Sequence, residues 1–536
     1  MDITCNCNCN CKSPLLLHLL LLFVLILDFG SESCYGQQTF SFDVHHRFSD
    51  HISQIFPLDH LPEKGSFDYY RALAHRDRFF HGRRLANTSN DDEILTFADG
   101  NTTYLLSSLG FLHYASVSLG TPSVTFFVAL DTGSDLFWVP CDCVSCSHTL
   151  QTSNGVVNLN IYSPNASLTS KNIPCNSSLC EKKDECLLLN QSKCPYQVAY
   201  LSALTSTSGY LVEDVLYLKT DYSQPEPVDA HITFGCGQIE TGSFLDGAAP
   251  NGLFGLGMGI VSVPSILSSA GLIANSFSMC FGSDGIGRIN FGDKGSPDQA
   301  ETTFNVNQSH PTYNISVTQI TVGKNIMNVN FTAIFDTGTS FTYLNNPAYT
   351  HLTKSFNAQV QHKRYPSDPD NPFEYCYGLS STSSNLTIPA LNLTMRGGGQ
   401  FSVYDPIVVF ANGNTISYYC LAVVKTKNVN IIGQNFMTNY LIVFDRENSL
   451  LGWSESDCYA SNGYNTTKRQ PKTSTARPPK SPRSYTAVPP ATAAEPGSVY
   501  PESGKGSGKD SSSSGAPSAL FNCCSLILFL VCFAII

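Results

Sequence analysis

Residues 127–134 read Phe127-Val128-Ala129-Leu130-Asp131-Thr132-Gly133-Ser134, and residues 333–340 read Ala333-Ile334-Phe335-Asp336-Thr337-Gly338-Thr339-Ser340. In both, an apolar run leads into Asp-Thr-Gly followed by a hydroxyl residue, and the two aspartates stand 205 positions apart. Such a run predicts a buried strand. Glycine after Asp-Thr permits the tight turn that leaves an aspartate at the strand's end. One Asp-Thr-Gly arises readily by chance; two with matched leads and a hydroxyl three positions after each aspartate do not. The repeat predicts two lobes carrying one aspartate each. Ser134 and Thr339 are placed to hydrogen-bond the carboxylates, with Thr132, Gly133, Thr337 and Gly338 supporting the loops. If the lobes bring Asp131 and Asp336 within hydrogen-bond reach, the two share a proton and titrate as a coupled dyad. One carboxylate then acts as general base on a water while its protonated partner activates a carbonyl.

These motifs resemble the pepsin-like aspartic proteases over roughly residues 108–458. Further matches follow in order. Trp138-Val139-Pro140 comes after the first motif, and Leu253-Phe254-Gly255 and Ile431-Ile432-Gly433 match strands that in the family thread beneath the catalytic loops. Residues 440–453 resemble the family's last hairpin. The resemblance implies an all-β, bilobal fold with the active-site cleft between two pseudo-repeat lobes. It also implies an aspartic-type endopeptidase that takes protein or peptide substrates in extended form, with no metal and no other cofactor. The family's flap tyrosine aligns with Tyr200, whose hydroxyl would reach Trp138; Tyr196 is the alternative. Relatives carry glycines after this tyrosine, whereas here Leu201-Ser202-Ala203-Leu204 follows, which implies a stiffer, more apolar flap tip.

Seven cysteines (Cys141, Cys143, Cys146, Cys175, Cys180, Cys186, Cys194) crowd one window, as in the insert of the plant nepenthesin-like branch. Seven is odd, so full oxidation needs a partner outside the window, and Cys236 is the nearest candidate. Resemblance to membrane-anchored members of the family suggests Cys280–Cys458 and Cys376–Cys420 for the remainder.

The rest of the chain concerns address and maturation. It has 536 residues, 42% hydrophobic and 14% charged, with a net charge of −11. That is long enough for two lobes with real cores, too apolar for disorder, and without the basic run of a nucleic-acid binder. No His-Glu-x-x-His spacing occurs, and Gly255-Leu256-Gly257-Met258-Gly259 opens no βαβ unit. Twenty cysteines and eleven Asn-x-Ser/Thr sequons point to the secretory route. Asn165, Asn176, Asn190, Asn307, Asn314, Asn330, Asn385, Asn392 and Asn465 are the glycan candidates outside the N-terminal segment.

Residues 1–36 read as a signal peptide, with the apolar run 15–27 closed by Asp28. Residues 37–106 read as a pro-segment holding six of the chain's thirteen histidines. Between 104 and 458 there are 26 acidic and 15 basic residues, so ion pairing is the expected hold on a segment that gains charge in acid. The catalytic lobes are expected at 107–300, with the Cys-rich insert, and at 301–460. A Pro/Ser/Lys-rich stalk follows at 461–514. Residues 515–536 resemble a GPI-attachment propeptide after the small residues Ser511, Ser512, Ser513 and Ser514, one of which would take the lipid. The expected location is the extracellular face of the plasma membrane, in its outer leaflet, as a monomer. Two other classes remain in view: a non-catalytic binding or inhibitor protein on the same fold, and a wall scaffold working through its stalk.

Overall fold

In this computed structural model the described residues are 39–58, 62–81, 109–188, 191–200, 205–220, 227–282, 285–306, 311–366, 371–379, 386–412, 415–427, 429–456 and 458. The signal peptide, stalk, attachment tail and Ser511–Ser514 all lie outside them, as do Asn190, Asn307, Asn385 and Asn465.

The N-terminal segment is woven into the protein. Phe40–His46 forms strand β1, Asp50–Ile55 helix α1 and Phe67–His81 helix α2. β1 alternates in burial, with Phe40 and Val44 fully enclosed, as a strand with one core face should. It pairs antiparallel with Ile286–Phe291 along its length, and through His46 and His113 with β2, residues His113–Leu119. Ile52, Phe56, Tyr69 and Leu73 are also buried, so the segment reaches three apolar clusters.

The first half of the repeat follows. β3 (Val124–Asp131) ends on the aspartate and pairs antiparallel with β2. β4 (Trp138–Ser145) leaves the loop. α3 (Lys183–Leu188) sits within the Cys-rich insert, and β5 (Pro195–Ala199) and β6 (Ser206–Lys219) make a hairpin. β7 (Pro227–Thr241) runs beside β6, and β8 (Leu253–Gly255) enters parallel to β3, with Gly255 opposite Asp131.

The second half repeats this arrangement. β9 (Asn325–Phe335) stops one residue before Asp336, β10 (Thr342–Leu344) leaves the loop, and β11 (Asn430–Ile432) lies parallel to β9. The glycines that close the two apolar-apolar-Gly elements have a steric reason. A β-carbon at Gly255 would stand 2.1 Å from the Asp135 carbonyl oxygen, and one at Gly433 2.2 Å from that of Phe341. Only glycine lets each strand pass so close beneath its loop.

The result is mostly β and two-lobed, in agreement with the expected fold class. One fourteen-stranded sheet joins the halves: Tyr440–Asp445 pairs with Ser276–Phe281, so strands after residue 430 share a sheet with strands before 300. Each of the twelve cysteines between 141 and 458 is bonded. Cys141 pairs with Cys236, Cys143 with Cys146, Cys175 with Cys186 and Cys180 with Cys194, and both Cys280–Cys458 and Cys376–Cys420 are present. Of the described sequon asparagines, Asn165, Asn176 and Asn330 are exposed and Asn392 is half-buried. Asn314 is a correction. It is 7% exposed, and its Oδ1 accepts from Asn305 Nδ2 at 2.7 Å, which leaves no room for a glycan in the folded chain.

Candidate active site

Asp131 and Asp336 occupy matching places, each at the mouth of a strand whose next residues turn sharply. Gly133 N–H donates to Asp131 Oδ1 at 2.9 Å, and Gly338 N–H to Asp336 Oδ1 at 2.8 Å. The loops meet: the hydroxyls of Thr132 and Thr337, both buried, lie 3.2 Å apart. A β-carbon at Gly338 would stand 3.1 Å from Asp336 Oδ1 and 3.7 Å from Asp131 Oδ1, so both carboxylates converge on one point. Glycine there keeps that space open to a ligand.

The hydroxyls three positions on are not equivalent. Thr339 Oγ1 donates to Asp336 Oδ2 at 2.7 Å. Ser134 Oγ is buried and makes no such bond to Asp131; it faces the Tyr200 hydroxyl instead, which corrects the symmetric reading of the motif. On the first lobe the polar work passes to the next residue: Asp135 Oδ1 accepts from Gly259 N–H at 2.6 Å and ties the loop to the turn after β8.

Over the site stands the hairpin of β5 and β6. Trp138 Nε1–H donates to the Tyr200 hydroxyl at 2.8 Å, and Phe244 packs edge-on against both rings. Burial, and then the charge of Asp131, push the Tyr200 phenol well up, so it stays protonated and able to donate. Tyr196 is the buried strand tyrosine, bonded to Thr207 Oγ1 at 2.9 Å, and a β-carbon at Gly235 would come within 2.7 Å of its ring. The hairpin tip, residues 201–204, lies outside the described residues. Between hairpin and loops is a cleft of about 320 Å³, walled by Asp131, Asp336, Tyr200, Leu136 and Phe111 among others.

Helix α2 supplies a part of the site that the motifs did not announce. Arg76 lines the cleft; its Nε donates to the Gly110 carbonyl at 2.7 Å and its Nη1 to the Gly338 carbonyl, within the second Asp-Thr-Gly loop. Nη1 also meets Asp77 Oδ1 at 3.0 Å. Asp77, fully buried, accepts from Ser340 N–H at 3.0 Å, Ser340 Oγ at 2.8 Å, Phe341 N–H at 3.1 Å and Tyr343 OH at 3.2 Å. A buried ion pair this fully hydrogen-bonded is costly to break on one side. The available sequence signal was a charged pair, Arg76-Asp77, on an otherwise ordinary helix.

Comparison with known proteins now adds to this geometry. Residues 113–293 match the family described as Xylanase inhibitor N-terminal, and residues 312–455 the one described as Xylanase inhibitor C-terminal. Aspartyl protease family protein 1 of Arabidopsis thaliana is 54% identical over 453 residues, covering 84% of this chain and 88% of that protein. The chain belongs to the plant aspartic protease family. Aspartic proteinase nepenthesin-1 of Nepenthes gracilis is 28% identical, over 65% of this chain and 78% of its own length. Among solved structures, conglutin gamma, a basic 7S globulin from lupine seeds, superposes with a TM-score of 0.50 at 20% identity, covering 65% of this chain and 92% of that one. That likeness shows the fold alone. Relatives named as proteases support a protease function for this chain.

Proposed function

We propose that the chain is a secreted aspartic endopeptidase, made as a zymogen and held at the outer face of the plasma membrane by a GPI lipid. The observation that carries the reading is the convergence of Asp131 and Asp336, from two copies of one loop, on a single point of an open cleft. A water held between two carboxylates that share one proton can lose its own proton as it attacks a peptide carbonyl. The shared proton polarises the carbonyl oxygen, and the departing nitrogen is protonated as the bond breaks. Formation of the new C–O bond and cleavage of the C–N bond are each accompanied by proton transfer to or from the dyad, with no covalent enzyme intermediate. Apolar cleft walls and the Tyr200 hydroxyl, fixed by Trp138, exclude water and orient an extended chain.

With α2 in place, Arg76 occupies the ground a substrate would need. The N-terminal segment therefore has to leave before catalysis, which supports the zymogen reading. The full chain, secreted and then acid-treated, is expected to cleave peptides with rates that rise from pH 7 toward pH 3–4, and pepstatin is expected to suppress them. Folded protein freed of residues 37–106 that cleaves nothing across that range overturns the reading in favour of a binding protein.

Membrane attachment rests on the terminal sequence signal. Treating intact cells with a phosphatidylinositol-specific phospholipase is expected to shed the protein into the medium. Retention on cells that shed a known GPI-linked control sinks the anchor.

A further inference from the structure

The Cys-rich insert does more than decorate the first lobe. Cys175–Cys186 and Cys180–Cys194 cross-link it at two levels, and its last cysteine leads directly into β5, the first strand of the hairpin over the site. The backbone holds it there as well: Cys194 N–H donates to the Ile173 carbonyl at 2.8 Å, and Leu211 N–H of β6 to the Cys194 carbonyl at 2.9 Å. Pinned this way, the stretch just before α3 turns toward the cleft, and Leu179, Glu181 and Lys182 form part of the wall that Asp131 and Asp336 complete. Leu179 packs in the same apolar cluster as Val198 and Tyr200, so the insert also braces the hairpin.

The charges on that wall are unequal. The charged side chains lining the cleft are Arg76, Asp131, Asp135, Glu181, Lys182 and Asp336. Arg76 departs with the N-terminal segment. Lys182 Nζ lies 3.4 Å from Glu185 Oε2 and 3.4 Å from Gln197 Oε1, so its charge is answered within the insert and hairpin. Asp135 is turned to the Gly259 N–H. The carboxylate of Glu181 makes no hydrogen bond or ion pair among the described residues, and the residue is exposed. Once the segment has gone, the cleft offers an incoming chain a surplus of negative charge, and among the described lining residues Glu181 carries that charge outside the dyad with no such bond or pair.

We propose that Glu181 is a specificity residue, selecting a lysine or arginine side chain on the stretch of substrate that passes the insert. The proposal rests on the endopeptidase reading and adds a substrate class to it. Glu181 touches no reacting atom and acts only through charge. The attraction is between partly solvated groups, so about fivefold in kcat/KM is the expected scale.

The test uses the full chain, secreted and acid-activated, on fluorogenic peptides sharing one apolar scissile core. Lysine, glutamine or glutamate is placed in turn at each flanking position. At one position the lysine peptide is expected to be cleaved about fivefold better than the glutamine peptide at low salt, and the preference should fade near 1 M salt, where screening reaches about 3 Å. Glu181→Gln is expected to erase the preference and Glu181→Lys to invert it toward glutamate, each read as a ratio of peptides within one variant. A lysine preference missing from the wild type, or surviving in Glu181→Gln, overturns the proposal and leaves the peptidase reading standing. No cleavage of any peptide overturns both.

Discussion

Asp131→Asn and Asp336→Asn are each expected to lower kcat/KM by about a thousandfold or more, while the melting temperature stays close to that of the parent. Asparagine has the shape of aspartate and still offers Oδ1 to the Gly133 or Gly338 N–H, so the loops keep their turns. What it lacks is the ability to take or give the shared proton. General acid–base catalysis of this kind is worth about 10²–10⁴ on its own, and here both halves of it pass through the dyad. The hydroxyls should separate in the same assay. Thr339→Ala removes a 2.7 Å bond to a carboxylate, worth about 1.5–3 kcal/mol, so a loss of roughly ten- to a hundredfold is expected. Ser134→Ala removes a hydroxyl that faces Tyr200 and makes no bond to a carboxylate, so a smaller loss than for Thr339→Ala is expected. Activity within tenfold of wild type in either asparagine variant would end the two-aspartate mechanism.

What could be read from the chain was whatever is encoded locally and twice. Two Asp-Thr-Gly turns, two apolar-apolar-Gly strands and a Trp138–Tyr200 pair each depend on a few neighbouring residues, and resemblance supplied the pairings Cys280–Cys458 and Cys376–Cys420. The pseudo-symmetry itself misled at Ser134: equal spacing was read as equal bonding, whereas the two loops divide their polar contacts differently. The larger miss was the N-terminal segment. Phe40–His46 behaves as a strand only because Ile286–Phe291 waits to pair with it some 240 residues on. Arg76 and Asp77 look like a solvated helix face until the chain folds and places them against residues 110 and 338–343. No window of sequence contains both sides of such a contact. Strand pairing and apolar burial also hold the segment, beside ion pairing. Arg288 with Asp43, at 3.8 Å and half in solvent, is an ion pair that joins the segment to the remainder. The buried pair, Arg76 with Asp77, is internal to the segment.

The histidines therefore work against the hold in acid rather than for it. His46 of β1 faces His113 of β2, ring centroids 5.3 Å apart, with both residues buried. Burial first, then His113, Arg47, Lys64 and Arg76, press His46 well below its usual range. Burial, then Arg76 and His45, press His113 down to about 3. His45 is lowered too, by burial and by His51 stacked 3.9 Å away, with Asp43 opposing. Tyr69 and Tyr114, also near Arg47, stay neutral throughout. The sign follows from linkage. Folded values lie below 6.5, so the closed state is unpenalised above that pH. Below it the released segment and the uncovered β2 take up protons that the closed state refuses, at about 1.4 kcal/mol per pH unit for each histidine. For His113 the penalty grows until pH falls to about 3. Release of residues 40–81, followed by limited proteolysis or by recovered peptide cleavage, is thus expected to begin below pH 6.5 and steepen toward pH 4. His46→Gln with His113→Asn should flatten that profile. Asp77→Ala should shift it. Without its carboxylate the closed state loses one half of the buried Arg76–Asp77 pair and leaves the Ser340 and Phe341 N–H groups without Asp77, a cost of about 3–5 kcal/mol that the open state does not bear. Cleavage at pH 7 without acid treatment is then expected to rise a hundredfold or more over the parent. A variant that stays silent at pH 7 yet activates in acid like the wild type would show that the latch lies elsewhere.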